Sequence, residues 1–380
     1  MQSLLTRARG ALIFLLSGVL AVTLTACGGE GSGKSTQPDG RGTVRIGLSP
    51  YFEYQPWVIA DKLGLDKEQG LDFKFKNIAS TQTAALAAKR GDLDIVASCH
   101  SCTFPLLKSV PDLQDFMITD QFKGFIVIGR NGQTQTFDEL KKSVGAKQAK
   151  EKVLRGFKGK TFTIHRASYE ALLSAALDQV GLTIDDIVIK DFADDAAAGL
   201  AFTRGVGDYY VGSLPQEAKL LQQPKKFVNV GGTDILGPAG LWYSTMVSTR
   251  GWLEDHPKTT DKLLAIWYRT MRYLAEKPDK TMPMFTEAIN KAAASSLSRE
   301  RVEYIVTNLD FFATLPQAKK TIYNPKSDLY FQKSVDFYEK GNKKHLPKDY
   351  KRDETIVNER YFKQVQKDRR LMSWLRSPLS

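Results

Sequence analysis

Two short stretches combine residue types and spacings that could do chemistry. The stretch GGEGSGKS (28–35) satisfies the G-x-x-x-x-G-K-[ST] pattern of loops that bind nucleotide phosphates. The stretch CHSC (99–102) is a C-x-x-C pair, a spacing found in disulfides, redox motifs and metal sites. Whether either stretch is a functional site depends on the elements that surround it.

The surroundings of 28–35 argue against a nucleotide site. A phosphate loop needs a strand before it and a helix that begins at its Lys-Ser pair. Residues 1–27 instead have the pattern of a secretory signal, with two arginines before an apolar run shorter than the roughly 20 residues that span a bilayer. Pro38 and the glycines after it prevent a helix downstream. We therefore interpret 28–42 as a flexible linker.

The end of the signal segment predicts a membrane anchor. Residues 24–27 (LTAC) resemble the lipobox of bacterial lipoproteins, in which a diacylglycerol is attached to the cysteine and everything before it is removed. Several acyl chains hold a protein stably on a bilayer. We expect 1–27 to be a lipoprotein signal peptide, Cys27 to be lipidated, and the protein to be extracytoplasmic and anchored to the cell membrane.

The chain is strongly basic but lacks the pattern of a nucleic-acid binder. Its formal net charge is +12, and removal of the signal, with its two arginines, leaves +10. The densest basic runs, 141–160 and 343–352, do not interleave with aromatic residues in a binding motif. We interpret them as solvated surface, the alternative being attraction to anionic headgroups or to a transporter, and we expect no nucleic-acid partner.

If the protein is exported, the two remaining cysteines, Cys99 and Cys102, lie in an oxidising compartment. A disulfide between them is the plain interpretation. The alternative is a thiolate pair that, with His100, binds a soft metal or a metal complex. A thioredoxin-like redox role fits less well, because the flanking pattern is not that of a thioredoxin. No catalytic or metal motif is recognised elsewhere, and the four histidines lack ligand spacing: His100, His165, His256 and His345.

Short β-rich runs alternate with amphipathic stretches, which predicts two α/β lobes with mostly parallel sheets. Strands of the first lobe are expected at 43–50, 71–78, 93–98 and 113–121. Strands of the second lobe are expected at 160–165, 186–192 and 208–212. The run 241–249 is expected to return to the first lobe as a strand, before a long helix at 257–277 and a mostly helical remainder.

The order of these segments resembles a known family. PWVIADKLGLDKEQGLDFKFKNI (56–78), AALAAKRGDLDIVAS (84–98) and AFTRGVGDYYVGSLPQEAKL (201–220) are similar to successive signatures of substrate-binding proteins of ABC transporters in the nitrate/sulfonate/taurine group. The same superfamily includes binders of thiamine pyrimidine precursors. The resemblance extends from about residue 43 to the C-terminal segment, so it covers nearly the whole chain.

The resemblance implies an α/β fold class, a two-lobed periplasmic-binding-protein fold of the second type with two hinge crossings and a helical C-terminal segment. The expected organisation is a signal peptide at 1–27, a linker at 28–42, lobe 1 at 43–122 and 236–380, and lobe 2 at 123–235. The implied function is capture of a small anionic or planar aromatic solute between the lobes. Delivery to an ABC permease with its ATPase subunit would follow, by a monomer without a cofactor.

Other functions remain open at this point. The ligand could be a thiamine pyrimidine precursor, or a soft metal or metal complex held through Cys99, His100 and Cys102. An enzyme on the same fold is less favoured, since the pyrimidine synthases that resemble these binding proteins are intracellular, although His100 and His165 could meet across the cleft. A structural or adhesive surface lipoprotein is a third class.

Candidate ligand-binding residues follow from topology, because open α/β sheets bind ligands beyond the carboxyl ends of their strands. They comprise Tyr51, Phe52, Tyr54, Gln55, Thr81, Gln82, Cys99, His100, Ser101 and Cys102 of the first lobe, Arg166, Ser168, Tyr169, Ser213 and Gln216 of the second, and Trp242 and Tyr243 on the returning segment. Thr81 and Ser168 could instead be only helix caps, the aromatic residues ordinary core, and Arg166 a solvated side chain, although an arginine would match an anion.

Overall fold

Two β-sheets organise the part of the chain that the structure describes. This computed structural model describes residues 40–380 except 79, 241, 328 and 344–345. The predicted signal peptide, lipidation site and phosphate-loop match, and the linker as far as 39, lie outside the described residues. The last residues of the predicted linker are not a tether, because Gly40 is buried, its carbonyl accepts a hydrogen bond from Lys262 Nζ (2.9 Å), and the first strand begins at Gly42.

The described residues form eleven strands: β1 Gly42–Leu48, β2 Leu71–Asn77, β3 Ile95–Cys99, β4 Leu113–Phe122, β5 Val127–Arg130, β6 Thr161–Ile164, β7 Val188–Asp191, β8 Tyr209–Tyr210, β9 Phe227–Gly231, β10 Trp242–Thr249 and β11 Asp310–Phe311.

The helices up to the return strand are α1 Pro56–Lys62, α2 Leu65–Glu68, α3 Thr81–Lys89, α4 His100–Leu106, α5 Phe137–Val144, α6 Ala146–Arg155, α7 Arg166–Asp178, α8 Asp195–Thr203, α9 Leu214–Leu221 and α10 Thr233–Leu236. Those that follow are α11 Arg250–Asp255, α12 Pro257–Glu276, α13 Pro278–Ala292, α14 Arg299–Asn308, α15 Leu315–Lys320, α16 Phe331–Gly341, α17 Arg352–Thr355, α18 Asn358–Val365 and α19 Arg369–Arg376. Short 3-10 turns occupy Phe52–Tyr54, Ile184–Asp186 and Gly237–Gly240. None of the described helices is both long and apolar enough to cross a bilayer.

Each sheet belongs to one lobe. The first has the order β11-β4-β10-β3-β1-β2, and the second has the order β7-β6-β8-β5-β9. All strands of the second sheet lie within 127–231, and the first sheet takes strands from both sides of that range. The sheets are compatible with the predicted division at 122/123 and 235/236, which stays a prediction.

The expectation of mostly parallel sheets is wrong. β1 is parallel to β2 and β3, and β6 is parallel to β7 and β8. However, β10 is antiparallel to β3 and β4, β11 to β4, and β5 to β8 and β9. The physical reason is the connectivity: βα units give parallel pairs, whereas strands that join the lobes or return from them arrive in the reverse direction.

The first crossing between the lobes carries an aromatic side chain that contacts both. The ring of Phe125 lies 4.5 Å from the ring of Phe122 and 4.8 Å from that of Trp242, both in lobe 1. It also lies 5.8 Å from the ring of Tyr169 in lobe 2. These edge-on contacts bury apolar surface at the hinge and fix where the lobes meet.

The core of lobe 1 forms where α12 packs across α1. Trp57 and Trp267 are fully buried with ring centroids 5.1 Å apart, and Phe73 of β2 contacts Trp57 edge-on at 5.6 Å. The long helix expected at 257–277 is therefore present as α12, and its apolar stripe packs towards the sheet. Lobe 2 has an aromatic centre of its own, with Phe157, Phe162 and Tyr209 in mutual contact.

Substitution of Gly124 should disturb the hinge. A Cβ at this position would stand 2.6 Å from two atoms of the Phe122 ring, which is itself held by Phe125. We expect Gly124→Ala to lower the free energy of unfolding by about 1–3 kcal/mol, the usual cost of overpacking. Urea unfolding measures the effect.

A matched control is Gly341→Ala in the last turn of α16, where an added Cβ meets no atom within 4 Å. Alanine there should leave stability unchanged or raise it by up to ~1 kcal/mol. Equal losses for the two variants would show that Gly124 is not constrained by the Phe122 ring.

Candidate functional site

A cavity lies between the lobes, where the carboxyl ends of β1 and β3 face the first turns of α7 and α9. It admits the centres of water molecules over about 40 Å³, so the described conformation encloses a small site. Its lining residues come from both lobes and are Ser49, Tyr51, Phe52, Glu53, Tyr54, Thr81, Ser98, Cys99, Cys102, Phe122, Phe125, Ser168, Tyr169, Ser213, Leu214, Pro215 and Trp242. We call this the interlobe cavity.

The loop after β1 forms one wall. It contains the 3-10 turn Phe52–Tyr54, and the Tyr54 hydroxyl donates a hydrogen bond to the carbonyl of Ser98 at the end of β3. The Gln55 amide donates to the carbonyl of Tyr51 (2.9 Å) and closes the loop from behind. These bonds hold Tyr51 and Glu53 at the cavity.

The C-x-x-C pair lies where β3 passes into α4. Cys99 and Cys102 are joined by a disulfide (S–S 2.01 Å), and both line the interlobe cavity. The two cysteines are therefore arranged as the disulfide interpretation expects. A soft-metal site would need free thiolates, and the described residues contain no group of three His, Cys, Asp or Glu side chains placed to hold a metal ion.

The first turns of three helices form the wall from lobe 2. Ser168 and Tyr169 lie near the start of α7, and Ser213 precedes α9. The Tyr169 hydroxyl donates to Oδ2 of Asp195, the first residue of α8, at 2.7 Å. Asp195 is thus held directly behind the lining residues.

Ten of the predicted residues are brought together at the interlobe cavity: Tyr51, Phe52, Tyr54, Thr81, Cys99, Cys102, Ser168, Tyr169, Ser213 and Trp242. Their role in ligand binding stays a prediction. The structure places the other seven elsewhere: Gln55, Gln82, His100, Ser101, Arg166, Gln216 and Tyr243.

Two causes explain why most of the first-lobe candidates named last do not line the cavity: side chains alternate between the faces of a strand, and some candidates are buried in the core. Trp242 and Tyr243 are neighbours on a strand and point to opposite faces, so Trp242 reaches the cavity while the Tyr243 hydroxyl donates to Leu329 O (2.5 Å). His100 is fully buried, with its ring 6.0 Å from that of Phe331 in α16. Ser101 is also buried, with its Oγ 3.1 Å from Cys99 Sγ.

The remaining exceptions face solvent or a neighbouring groove. Gln82 is exposed on the first turn of α3. Arg166 forms an exposed ion pair with Glu170 (3.4 Å) one turn along α7, so it does not supply a positive charge to the cavity. Gln216 lines an adjoining groove that also includes Tyr51 and Asp195.

A comparison with known protein families identifies one that matches most of this chain. The model of the NMT1-like family matches residues 37–286. This chain belongs to the NMT1-like family. A search of curated proteins found no match.

Solved structures share the fold of this NMT1-like chain. The periplasmic aliphatic sulphonate binding protein SsuA from Escherichia coli is 15% identical with a TM-score of 0.60, and 84% of this chain and 99% of that one are covered. The periplasmic nitrate-binding protein NrtA from Synechocystis PCC 6803 is 12% identical with a TM-score of 0.59, and 88% of each chain is covered. The ligand binding component of an ABC-type import system from Staphylococcus aureus, with zinc bound, is 13% identical with a TM-score of 0.61. The alignment covers 85% of this chain and 98% of that one. This likeness shows the two-lobed periplasmic-binding-protein fold that the resemblance implied.

Sequence reasoning missed the acidic residues of this NMT1-like site. Glu53 lies between two aromatic residues of a loop that was interpreted through its aromatic rings alone, yet it lines the cavity. Asp120 of β4 and Asp310 of β11 are buried behind it. The available signal was a pair of aspartates, Asp115 and Asp120, inside the predicted strand 113–121, because a charged residue in a buried strand requires a partner or a function.

Burial and mutual repulsion raise the pKa values of the lobe 1 carboxyls. Burial raises the pKa of Asp120 to about 7. Burial, followed by the charge of Asp120, raises the pKa of Glu53 and of Asp310 well above the ordinary range. These groups lie close enough to affect one another, and Ser244 of β10 lies within the same cluster.

The lobe 2 carboxyls behave in the same way. Burial raises the pKa of Asp195 and that of Glu217, whose Oε1 accepts a weak hydrogen bond from Ile126 N (3.4 Å). Burial and then Asp195 raise the pKa of the Tyr51 hydroxyl, so this lobe 1 side chain lies within electrostatic reach of lobe 2. Lobe 2 therefore holds buried carboxyls behind the cavity wall, whereas Glu53 of lobe 1 lines the cavity itself.

The contact between Tyr169 and Asp195 predicts a stability effect. Tyr169→Phe keeps the ring but removes the hydroxyl that donates to the buried carboxyl. We expect the free energy of unfolding to fall by about 1–3 kcal/mol, because a buried acceptor loses its partner. Tyr304→Phe, at a ring that is 49% exposed, is the control and should change little, and a loss no greater at Tyr169 than at Tyr304 would contradict the assignment.

The buried pair of His100 and Asp115 predicts a pH effect on stability. His100 Nε2 lies 3.9 Å from Asp115 Oδ2, and burial lowers the pKa of His100 to about 3 and raises that of Asp115 to about 8. The unfolded chain releases the aspartate proton near pH 4. His100 acts in the opposite sense, because below about pH 6.5 the unfolded chain takes up an imidazole proton that the buried ring does not, and the two effects offset each other. Between about pH 6.5 and about pH 8 the native state binds more protons, so the free energy of unfolding falls as the pH rises.

Asp115→Asn removes this titration. The variant should gain stability relative to the unsubstituted protein by up to ~1.4 kcal/mol per pH unit between about pH 5 and about pH 8, measured by urea unfolding. Asp178→Asn, at an exposed position on α7, should give a profile parallel to that of the unsubstituted protein. A parallel profile for Asp115→Asn as well would mean that Asp115 ionises normally in the native state.

Proposed function

We propose that this chain is the extracytoplasmic solute-binding component of an ABC importer, anchored to the cell membrane through lipid on Cys27. The observation that carries the proposal is the interlobe cavity, because neither lobe encloses it alone. Family membership supports it, as do the two structural neighbours named as sulphonate and nitrate binding proteins. The permease and its ATPase subunit are the proposed partners, and a monomer is the proposed form.

Capture would work by closure of the lobes. A ligand shifts a protein towards a closed state only by binding that state more tightly than the open one. Tyr51 and Trp242 on one side and Ser168 and Ser213 on the other would contact the solute together only when the lobes meet. Opening at the hinge near Phe125 would then release it to the permease.

The proposed solute is small and planar, because seven of the residues that line the cavity are aromatic. The sequence analysis also allowed a sulfonate, nitrate or taurine-like anion. The anion is supported by the names of the structural neighbours but not by the lining, since none of the described lining residues is Lys, Arg or His.

A thiamine pyrimidine precursor is the second candidate, and the acidic lining favours it. An aminopyrimidine ring is planar and presents N–H donors. Glu53 could accept a hydrogen bond from such a donor, beside the rings of Tyr54 and Trp242. Catalysis is not proposed. His100 faces Asp115 and Ser334, whereas His165 contacts Ser168 (2.9 Å), so the two histidines do not meet across the cleft.

Native mass spectrometry of protein purified from its own host tests the proposal, together with thermal-shift measurements on a solute panel. We expect a bound small molecule and a melting temperature that rises with solute concentration as a binding equilibrium requires. The panel should include nitrate, ethanesulfonate, taurine and an aminopyrimidine. Absence of any bound or stabilising solute would contradict the proposal.

A matched pair of variants locates the binding site. Ser168→Phe places a large ring at the interlobe cavity, whereas Ser174→Phe places the same ring at another half-buried position of α7. We expect the first variant to lose the solute-dependent rise in melting temperature and the second to keep it. Retention by both variants would place the binding site elsewhere.

A further inference from the structure

Carboxyl groups lie at the interlobe cavity in lobe 1 and behind its wall in lobe 2. Glu53 lines it from lobe 1, and Asp195 lies behind Tyr169 and Ser213 on the lobe 2 side. The two are near enough for the charge of Asp195 to act on Glu53. Asp120 and Asp310 stand behind Glu53, and Glu217 lies within electrostatic reach of Asp195.

Little positive charge compensates this cluster. None of the described lining residues is Lys, Arg or His, and His165 is the basic residue whose charge acts on Asp195. Burial affects the carboxyls more strongly than any cation does. The contrast with a chain whose net charge is +12 shows that the acidity of the cavity is local and does not follow from composition.

Hydrogen-bonding capacity is also left over. Oδ1 of Asp195, which is 4% exposed, and both carboxyl oxygens of Asp120 and Asp310 accept no well-aligned hydrogen bond from the described residues. Their raised pKa values favour the protonated form where no cation is near, and ionisation would make each oxygen an acceptor only. Glu53 is the member of this cluster that lines the cavity, so a solute with N–H donors would meet this carboxyl.

We propose that the interlobe cavity binds a small organic cation with N–H donors, such as a primary ammonium or an amidinium group, placed against Glu53, with Asp195 behind the opposite wall. This inference rests on the proposed function and narrows its substrate class. Charge-assisted N–H hydrogen bonds to carboxylates are about twice as strong as neutral ones. The rings of Tyr51, Tyr54 and Trp242 add surfaces that attract cations.

The same arrangement couples binding to closure. When the lobes meet without a cation, carboxylates from the two sides are brought together, which costs Coulombic energy or forces them to take up protons. A cation against Glu53 offsets this repulsion, and in the closed state it also lies near the carboxyls behind the lobe 2 wall. An anion would add to the repulsion, so the closed state would discriminate against it.

Probes of equal shape and different charge test the proposal. Acetamidinium, acetamide and acetate form one series, and benzamidinium, benzamide and benzoate form a larger planar one. Thermal-shift titrations at constant ionic strength, up to about 20 mM, give the affinities. We expect the cation of at least one series to bind about tenfold or more tightly than its amide, and the anions to give no shift.

Variants assign the effect to the carboxylate. Glu53→Gln keeps the shape and removes an ionisable carboxyl, so folding should not suffer, and it should weaken cation binding by about tenfold while changing amide binding by less than about twofold. Glu254→Gln, at an exposed residue of α11, is the control and should leave both unchanged. Tetramethylammonium, a cation without N–H donors, should bind more weakly than the amidinium.

Each contrary outcome overturns the inference. These outcomes are an anion or amide that binds as tightly as the cation, no cation binding in either series, tetramethylammonium that binds as tightly as the amidinium, and an unaltered affinity in Glu53→Gln. If nitrate or ethanesulfonate binds instead, or an anion co-purifies, the solute-binding proposal stands and the cation assignment fails. If no solute of any charge binds, the proposed function itself fails.

Discussion

The first lobe depends on a strand that the chain supplies late. β10 lies between β3 and β4 and pairs with both, with Ser244 opposite Cys99 on one side and Asp120 on the other. The sheet is complete only after the chain has crossed to the second lobe and returned, because β4 and β10 are separated by that whole lobe. Two crossings and a cleft between them are therefore consequences of where one strand pairs.

The same strand determines what the cleft contains. Its register places Trp242 beside Phe122 and places Ser244 next to the carboxyl of Asp120, and Glu53 covers this end of the sheet. Burial of several carboxyls is costly, and structures retain such groups where a function uses them. Strand register thus places the carboxyls behind Glu53, while Glu53 itself lies in the loop after β1.

Much of the fold could be predicted from the sequence, because hydrophobic periodicity reports burial directly. It located the βα units, the return of 241–249 to the first lobe and the helix at 257–277. Sheet direction was less accessible, since a strand-forming segment such as 113–121 looks the same in a parallel and an antiparallel strand. Topology also indicated which loops reach the cleft, and ten of seventeen candidates line the interlobe cavity.

At the candidate site, the directions of side chains and the charges around them could not be predicted from the sequence. Only the pleat decides that Trp242 faces the cavity and Tyr243 does not, and the sequence does not give its phase. Arg166 was considered because anions favour arginine, yet its ion pair with Glu170 depends on helix geometry that becomes clear only in three dimensions. Glu53 was missed because its environment is made by Asp120 and Asp310, which are far from it in sequence.

The Phe125 ring has a thermodynamic consequence for the molecule as a transport component. It contacts Phe122 and Trp242 in one lobe and Tyr169 in the other. An opening that separates Phe125 from Tyr169 exposes aromatic surface to water, and hydration of apolar surface carries a positive heat capacity. The balance between open and closed forms therefore varies with temperature apart from any solute, so affinities compared across growth temperatures contain a contribution from the hinge itself.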